Sequence, residues 1–136
     1  VALYKWDDKE GWEFVGSPLT NNGLVEVASP GIYCFFKDTL PPVVKGVVEE
    51  NLPEGSGFFR QRAIYIEVDD GGSGIDPYSS FVEINGEWAI AEWERYKGRF
   101  YIPVPSFLPA GEYRLRIDAS DKVGNRALEE FKILIK

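Results

Sequence analysis

Histidine and methionine are absent from this chain, and cysteine occurs once, as Cys34. Without imidazole, catalytic triads and the zinc sites built on histidine have neither base nor ligand. One thiol makes neither an internal disulfide nor a Cys-x-x-Cys redox pair. No segment approaches the roughly 20 consecutive apolar residues of a membrane-spanning helix, so membrane insertion is not expected. The first residues carry no basic stretch leading into an apolar run. Basic residues are also scarce: 15 Lys and Arg face 22 Asp and Glu, a formal charge of −7 over 136 residues. Such a surface repels a phosphate backbone, so no nucleic-acid partner is expected. A chain that begins at Val1 and holds no Met reads as a processed product or a piece of something longer, so the missing leader does not fix its destination.

Aromatic residues are plentiful, with 9 Phe, 7 Tyr and 4 Trp, enough to fill a small core and leave rings for a surface. The 14 Gly and 9 Pro bracket short β-branched and aromatic runs, the punctuation of many strands joined by turns. Ile64, Ile66 and Val68 alternate with Tyr65, Glu67 and Asp69, and Val82 and Ile84 alternate with Phe81, Glu83 and Asn85. Phe100, Ile102 and Val104 repeat the period of two. Tyr113, Leu115, Ile117 and Ala119 do so against Arg114, Arg116 and Asp118, and Phe131, Ile133 and Ile135 close the chain. With Val43–Val48 and a short run at Trp88, about seven strands are expected after residue 41, the content of a two-sheet sandwich. No helix is expected; residues 87–96 read as strand and turn.

Residues 1–40 form a separate small β segment. They hold four shorter runs, Ala2–Trp6, Trp12–Val15, Leu24–Ala28 and Ile32–Phe36, parted by Asp7-Asp8, Ser17-Pro18, Asn21-Asn22-Gly23 and Ser29-Pro30-Gly31. Forty residues seldom bury enough surface to stand alone. This segment must lean on the second module, residues 41–136, be the closing half of a preceding one, or be completed by another chain through its strand edges. The boundary falls at Asp38-Thr39-Leu40-Pro41-Pro42, where two prolines end a ladder and stiffen the connection.

Four motifs occur in order: Asp38 to Pro42, Asp70-Gly71-Gly72-Ser73-Gly74-Ile75, Val82 to Gly86, and Gly111 to Asn125. Together they resemble the bacterial immunoglobulin-like (fibronectin III-like) domains of secreted and cell-surface proteins, over residues 38–136. The resemblance implies an immunoglobulin-like antiparallel β-sandwich without catalytic activity. It further implies an extracellular, periplasmic or cell-surface location, and a role in spacing, stabilising or docking other domains of the same polypeptide or in binding a surface glycan or protein. The antibody-type Cys…Trp…Cys arrangement is missing, so no disulfide pins the sheets. Read on their own terms, Asp121 to Asn125 form a hairpin connection, with Asp121 accepting backbone N–H groups and Gly124 free to take positive φ. Tyr113, behind Leu108-Pro109-Ala110-Gly111, resembles a tyrosine corner.

Three chemistries are weighed. Asp69, Asp70 and Asp76 beside Asp121 and Asn125 would supply the oxygen ligands that Ca2+ needs, although none of the dense ligand loops is present and each aspartate has a turn of its own to cap. Trp6, Trp12, Trp88 and Trp93 are the indoles on which a carbohydrate would stack. Trp88 and Trp93, five residues apart, would point to opposite faces of a regular strand and leave one at the surface. A glycoside hydrolase needs two facing carboxylates. Glu92 and Glu94 share one face of an extended segment, Glu129 and Glu130 do not, and all four read as solvated surface. Cys34, inside Tyr33-Cys34-Phe35-Phe36, reads as a small apolar side chain.

Overall fold

The computed structural model describes residues 1–18, 22–51, 62–104 and 108–135, and among these every regular element is a β-strand. Three strands come first. β1 (Ala2–Asp7) pairs with β2 (Gly11–Gly16) on one side and β3 (Tyr33–Phe36) on the other, in the antiparallel order β2-β1-β3. The β1–β2 turn is written by Asp7, whose Oδ1 accepts the N–H groups of Lys9 (2.8 Å) and Glu10 (2.9 Å). Those donors hold the Asp7 carboxyl below its ordinary pKa, the Glu10 N–H contributing most.

The remaining strands form two four-stranded sheets. β4 (Val43–Asn51), β5 (Arg62–Asp69), β8 (Glu92–Glu94) and β9 (Arg99–Val104) are ordered β4-β5-β9-β8. The others, β6 (Phe81–Ile84), β7 (Glu87–Ala89), β10 (Gly111–Ser120) and β11 (Arg126–Ile135), are ordered β11-β10-β6-β7. All pairings are antiparallel. One core is shared between the two sheets: Ile64, Ile66, Phe100 and Ile102 from the first meet Val82, Leu115 and Ile117 from the second, each at most 2 % exposed. The period-two alternation builds it, because every second side chain of a strand points to the same face.

Two local departures have physical causes. Residues 87–96 divide into two strands in different sheets: Ala89 pairs with Val82, Glu92 pairs with Tyr101, and the chain crosses at Ile90-Ala91. Among the described residues eight strands therefore follow residue 41, rather than about seven. Of the four amino-terminal runs, Leu24–Ala28 forms no strand; Val25 is half-buried beside Gly16, while Leu24 and Val27 stay exposed. In the turn before it Asn22 and Gly23 have positive φ and the Gly23 N–H reaches the Pro18 carbonyl, whereas Asn21 lies outside the described residues. The β6–β7 hairpin turns on Asn85 and Gly86, both at positive φ, as a two-residue type I′ connection demands. Tyr113 donates its hydroxyl to the Pro109 carbonyl at 2.7 Å, the tie expected of a tyrosine corner. No helix among the described residues is long and apolar enough to cross a membrane.

Candidate functional site

β3 ends at Phe36 and β4 begins at Val43, so the segment between them carries the chain from the small sheet to the sandwich. It is stitched down at Asp38. The Asp38 Oδ2 accepts the Ser73 N–H at 2.8 Å, its Oδ1 accepts the Leu40 N–H at 3.2 Å, and its carbonyl accepts the Asn125 Nδ2 at 3.2 Å. Pro42 behind it is fully buried. Two loops of the sandwich meet Asp38. One follows β5, where the Asp70 Oδ2 accepts the Gly74 N–H at 2.7 Å. The other is the β10–β11 turn, where the Asp121 Oδ1 accepts the N–H groups of Val123 (3.0 Å) and Asn125 (2.8 Å) and its Oδ2 accepts the Asn125 Nδ2 (2.8 Å). The loops are joined to each other by the Ile75–Asp121 bridge and by the Lys122 N–H on the Gly74 carbonyl at 3.0 Å.

Three carboxylates thereby converge. One oxygen each from Asp38, Asp70 and Asp121 lies within 4.8 Å of the other two, and Asp121 is 1 % exposed. A Cβ at position 72 would stand 2.2 Å from the Asp38 Oδ2, so any side chain there would push the Asp38 carboxylate aside. Burial pushes the Asp70 pKa up, the Gly74 N–H opposes this, and the charges of Asp38 and Asp121 add to the rise. Tyr4 of β1 senses the same charges. Its burial, and then Asp38, Asp70 and Asp121, push its hydroxyl up to about 12. Beside it the Lys122 Nζ lies 5.2 Å from the centre of the Phe14 ring of β2, a second contact between the small sheet and this end of the sandwich.

Of the residues read as calcium ligands, Asp70, Asp121 and Asn125 are brought together, with Asn125 serving as a donor to its neighbours. Asp69 points outward to Lys45 at 3.4 Å. Asp76 is occupied with its own turn, accepting from the Tyr78 N–H (3.0 Å) and the Ser79 hydroxyl (2.8 Å). Asp38, which is not among those candidates, completes the cluster. Its sequence signal is its place just before the prolines that fix the chain's entry to β4.

The tryptophans divide. Trp88 on β7 is 71 % exposed, whereas Trp93 on β8 is half-buried against Phe100, ring centres 4.7 Å apart. Trp6 and Trp12 lie across from each other on β1 and β2, edge to face at 5.3 Å, each about two-fifths exposed, and the Trp6 indole N–H is held by the Asp8 carboxylate. On the outer face of the second sheet, Trp88 stands opposite Glu83, which pairs with Arg116 at 3.4 Å. Glu83 and Arg116 of that row, with Asn85, Glu112, Arg114 and Lys132 among others, line a depression of about 560 Å³. Glu92 is exposed, Glu94 is ion-paired with Arg99 at 2.5 Å, and Glu129 and Glu130 are both exposed on β11. Cys34 is half-buried across from Tyr4.

No protein-family model matches the chain, and neither a curated protein nor a solved structure matches it.

Proposed function

We propose that the chain is a non-catalytic accessory module of a bacterial secreted or cell-surface protein, an immunoglobulin-like sandwich that spaces, stabilises or docks neighbouring domains. The observation that carries this reading is the pair of strand orders. Taken in chain order from β4 to β11 as strands A, B, C, C′, D, E, F and G, the sheets run A-B-E-D and G-F-C-C′, the two-layer arrangement of immunoglobulin-like domains. Fold by itself hosts many roles, so the assignment to an accessory role also leans on the four resembling motifs and on what the carboxylates do. Asp38, Asp70, Asp76 and Asp121 accept turn N–H groups, and Glu94 is tied to Arg99. These are the occupations of structural acids. Incubating the full chain with a panel of plant, fungal and bacterial polysaccharides tests it. No reducing ends are expected, and sustained product release would overturn the reading.

A carbohydrate-binding role is the second reading, favoured by one observation: Trp88 is an exposed indole paired across strands with Glu83, a residue that lines a polar depression on the sheet face. Sugar rings stack on such an indole while charged and amide groups take their hydroxyls. Affinity electrophoresis in glycan-loaded gels separates the two. Retardation that Trp88→Ala removes, and that Trp93→Phe leaves intact, would make the module a glycan binder.

A further inference from the structure

Three half-buried or buried carboxylates share one end of the sandwich, and among the described residues none of them is ion-paired with a Lys or Arg. Like charges packed this closely, in partial shelter from water, repel one another unless a proton or a cation joins them. Two buried oxygens of the loop after β5 lack a well-formed partner. The Asp70 Oδ1 is out of reach of solvent and no well-formed hydrogen bond meets it, the Gly72 N–H acting only weakly on the same carboxylate. Also sheltered and without a partner is the hydroxyl of Ser73, a residue 2 % exposed whose own N–H is bonded to the Asp38 carboxylate and which therefore lies against the cluster. A buried polar oxygen without a partner is costly, and native structures rarely keep one that nothing uses. Here two occur on the same five-residue loop that wraps the carboxylates.

We infer that Asp38, Asp70 and Asp121 form a site for a hard divalent cation, calcium in preference to magnesium, which clamps the amino-terminal sheet to the end of the sandwich. The spacing suits it. Oxygens that ligate one calcium at about 2.4 Å stand at most about 4.8 Å apart, and the three carboxylate oxygens meet that limit in every pair. Calcium accepts irregular sets of carboxylate, hydroxyl and water oxygens, whereas magnesium demands near-octahedral geometry and gives up its water reluctantly. Because Asp38 belongs to the connecting segment and Asp70 and Asp121 to the sandwich, an ion bound to all three ties the segment that follows β3 to the loops after β5 and β10. The inference goes beyond the accessory role and does not depend on it: failure to bind calcium would leave the strand orders and the hydrolysis test where they are.

The test uses the full chain stripped with a chelator and titrated with calcium chloride, read by isothermal titration calorimetry and by thermal unfolding. Saturable uptake of about one ion per chain is expected, with the melting temperature rising by about 5 °C or more at saturation. Asp70→Asn keeps the oxygen that accepts the Gly74 N–H and should fold; its affinity is expected to fall by about tenfold or more. Asp69→Asn and Asp76→Asn, outside the cluster, should stay within about twofold of the parent. Should Asp70→Asn prove unfolded by circular dichroism, Asp38→Asn takes its place with the same expected loss. Absence of heat and of any melting shift in the parent chain would overturn the site, as would undiminished uptake in both cluster variants, or an equal loss in Asp69→Asn. Equal stabilisation by magnesium chloride would overturn the choice of metal.

Discussion

Between the two four-stranded sheets, Ile64, Ile66, Phe100, Ile102, Leu115 and Ile117 are almost wholly removed from water, while the three-stranded sheet buries only Ala2, Leu3 and Tyr4 among its described apolar side chains and leaves Trp6, Trp12, Phe35 and Phe36 about 38–58 % exposed. Both regions are antiparallel and both read as alternating runs. What separates them is the second layer. A sheet with a partner sheet across from it buries every inward side chain twice over, by its own neighbours and by the facing layer. The three-stranded sheet fills in its own face with ring-on-ring contacts, Tyr4 with Phe14 and Phe36, Trp12 with Trp6 and Phe36, and these bury Tyr4 but leave Trp6, Trp12 and Phe36 each about two-fifths in water. The segment that follows the amino-terminal sheet is tied to the sandwich by a polar clasp at Asp38, beside Asp70 and Asp121.

The largest effect should come from the sandwich core. Leu115→Ala removes a side chain that is 0 % exposed and packed between layers, and is expected to lower stability by about 3–4 kcal/mol in urea unfolding. The matching deletion in the small sheet, Phe36→Ala, takes away a ring already 38 % exposed. About 1–2 kcal/mol is expected, because part of the transfer free energy was never gained. Equal losses at the two positions would erase the contrast just drawn.

The clasp comes next. Asp121→Ala removes the acceptor of two backbone N–H groups and of the Asn125 side chain, all near a residue 1 % exposed. Stranded donors at such a place should cost about 2–3 kcal/mol. The distinguishing readout is hydrogen exchange. If the clasp holds the small sheet down, amides of β1 and β3 should exchange faster in the variant, well beyond the change seen in the centre of β10. Uniform acceleration over the whole chain would mean that Asp121 serves the sandwich alone.

Much of the sandwich could be read beforehand because a half-buried strand writes its two faces in alternate residues: Tyr113, Leu115, Ile117 and Ala119 in β10 are the plainest case. The crossing at Ile90-Ala91 could not. Two three-residue strands are too short to show a period, and which sheet each joins is decided by partners distant in sequence, Val82 for Ala89 and Tyr101 for Glu92. The cluster was half legible for a similar reason. Asp121 and Asn125 announce themselves through turn chemistry, whereas Asp69 and Asp70 are adjacent and alike on paper, and only the register of β5, which sends Asp69 outward to Lys45, tells them apart. Asp38 enters through the path of the connecting segment, a tertiary fact.

The smallest effect, and the one that bears most directly on how the two regions are joined, is electrostatic. The Asp70 pKa is raised in the folded chain, first by burial and then by Asp38 and Asp121. A carboxyl with a raised folded pKa contributes its stability in the protonated form: the contribution is complete below the unfolded value, near 3.9 for aspartate, and is lost as pH rises through the folded value. In chelator-stripped protein Asp70 therefore opposes folding at neutral pH, and Asp70→Asn, which keeps the shape without the charge, should be at least as stable as the parent there. The advantage should shrink as pH falls from neutrality through the raised value, where the parent carboxyl takes up its proton. Urea midpoints of the two proteins at a series of pH values measure the difference and cancel the titration of the other acids. A parent chain that is the more stable at pH 7 without calcium would show that the three carboxylates do not strain the junction, and the small sheet would then be held by its few buried side chains after all.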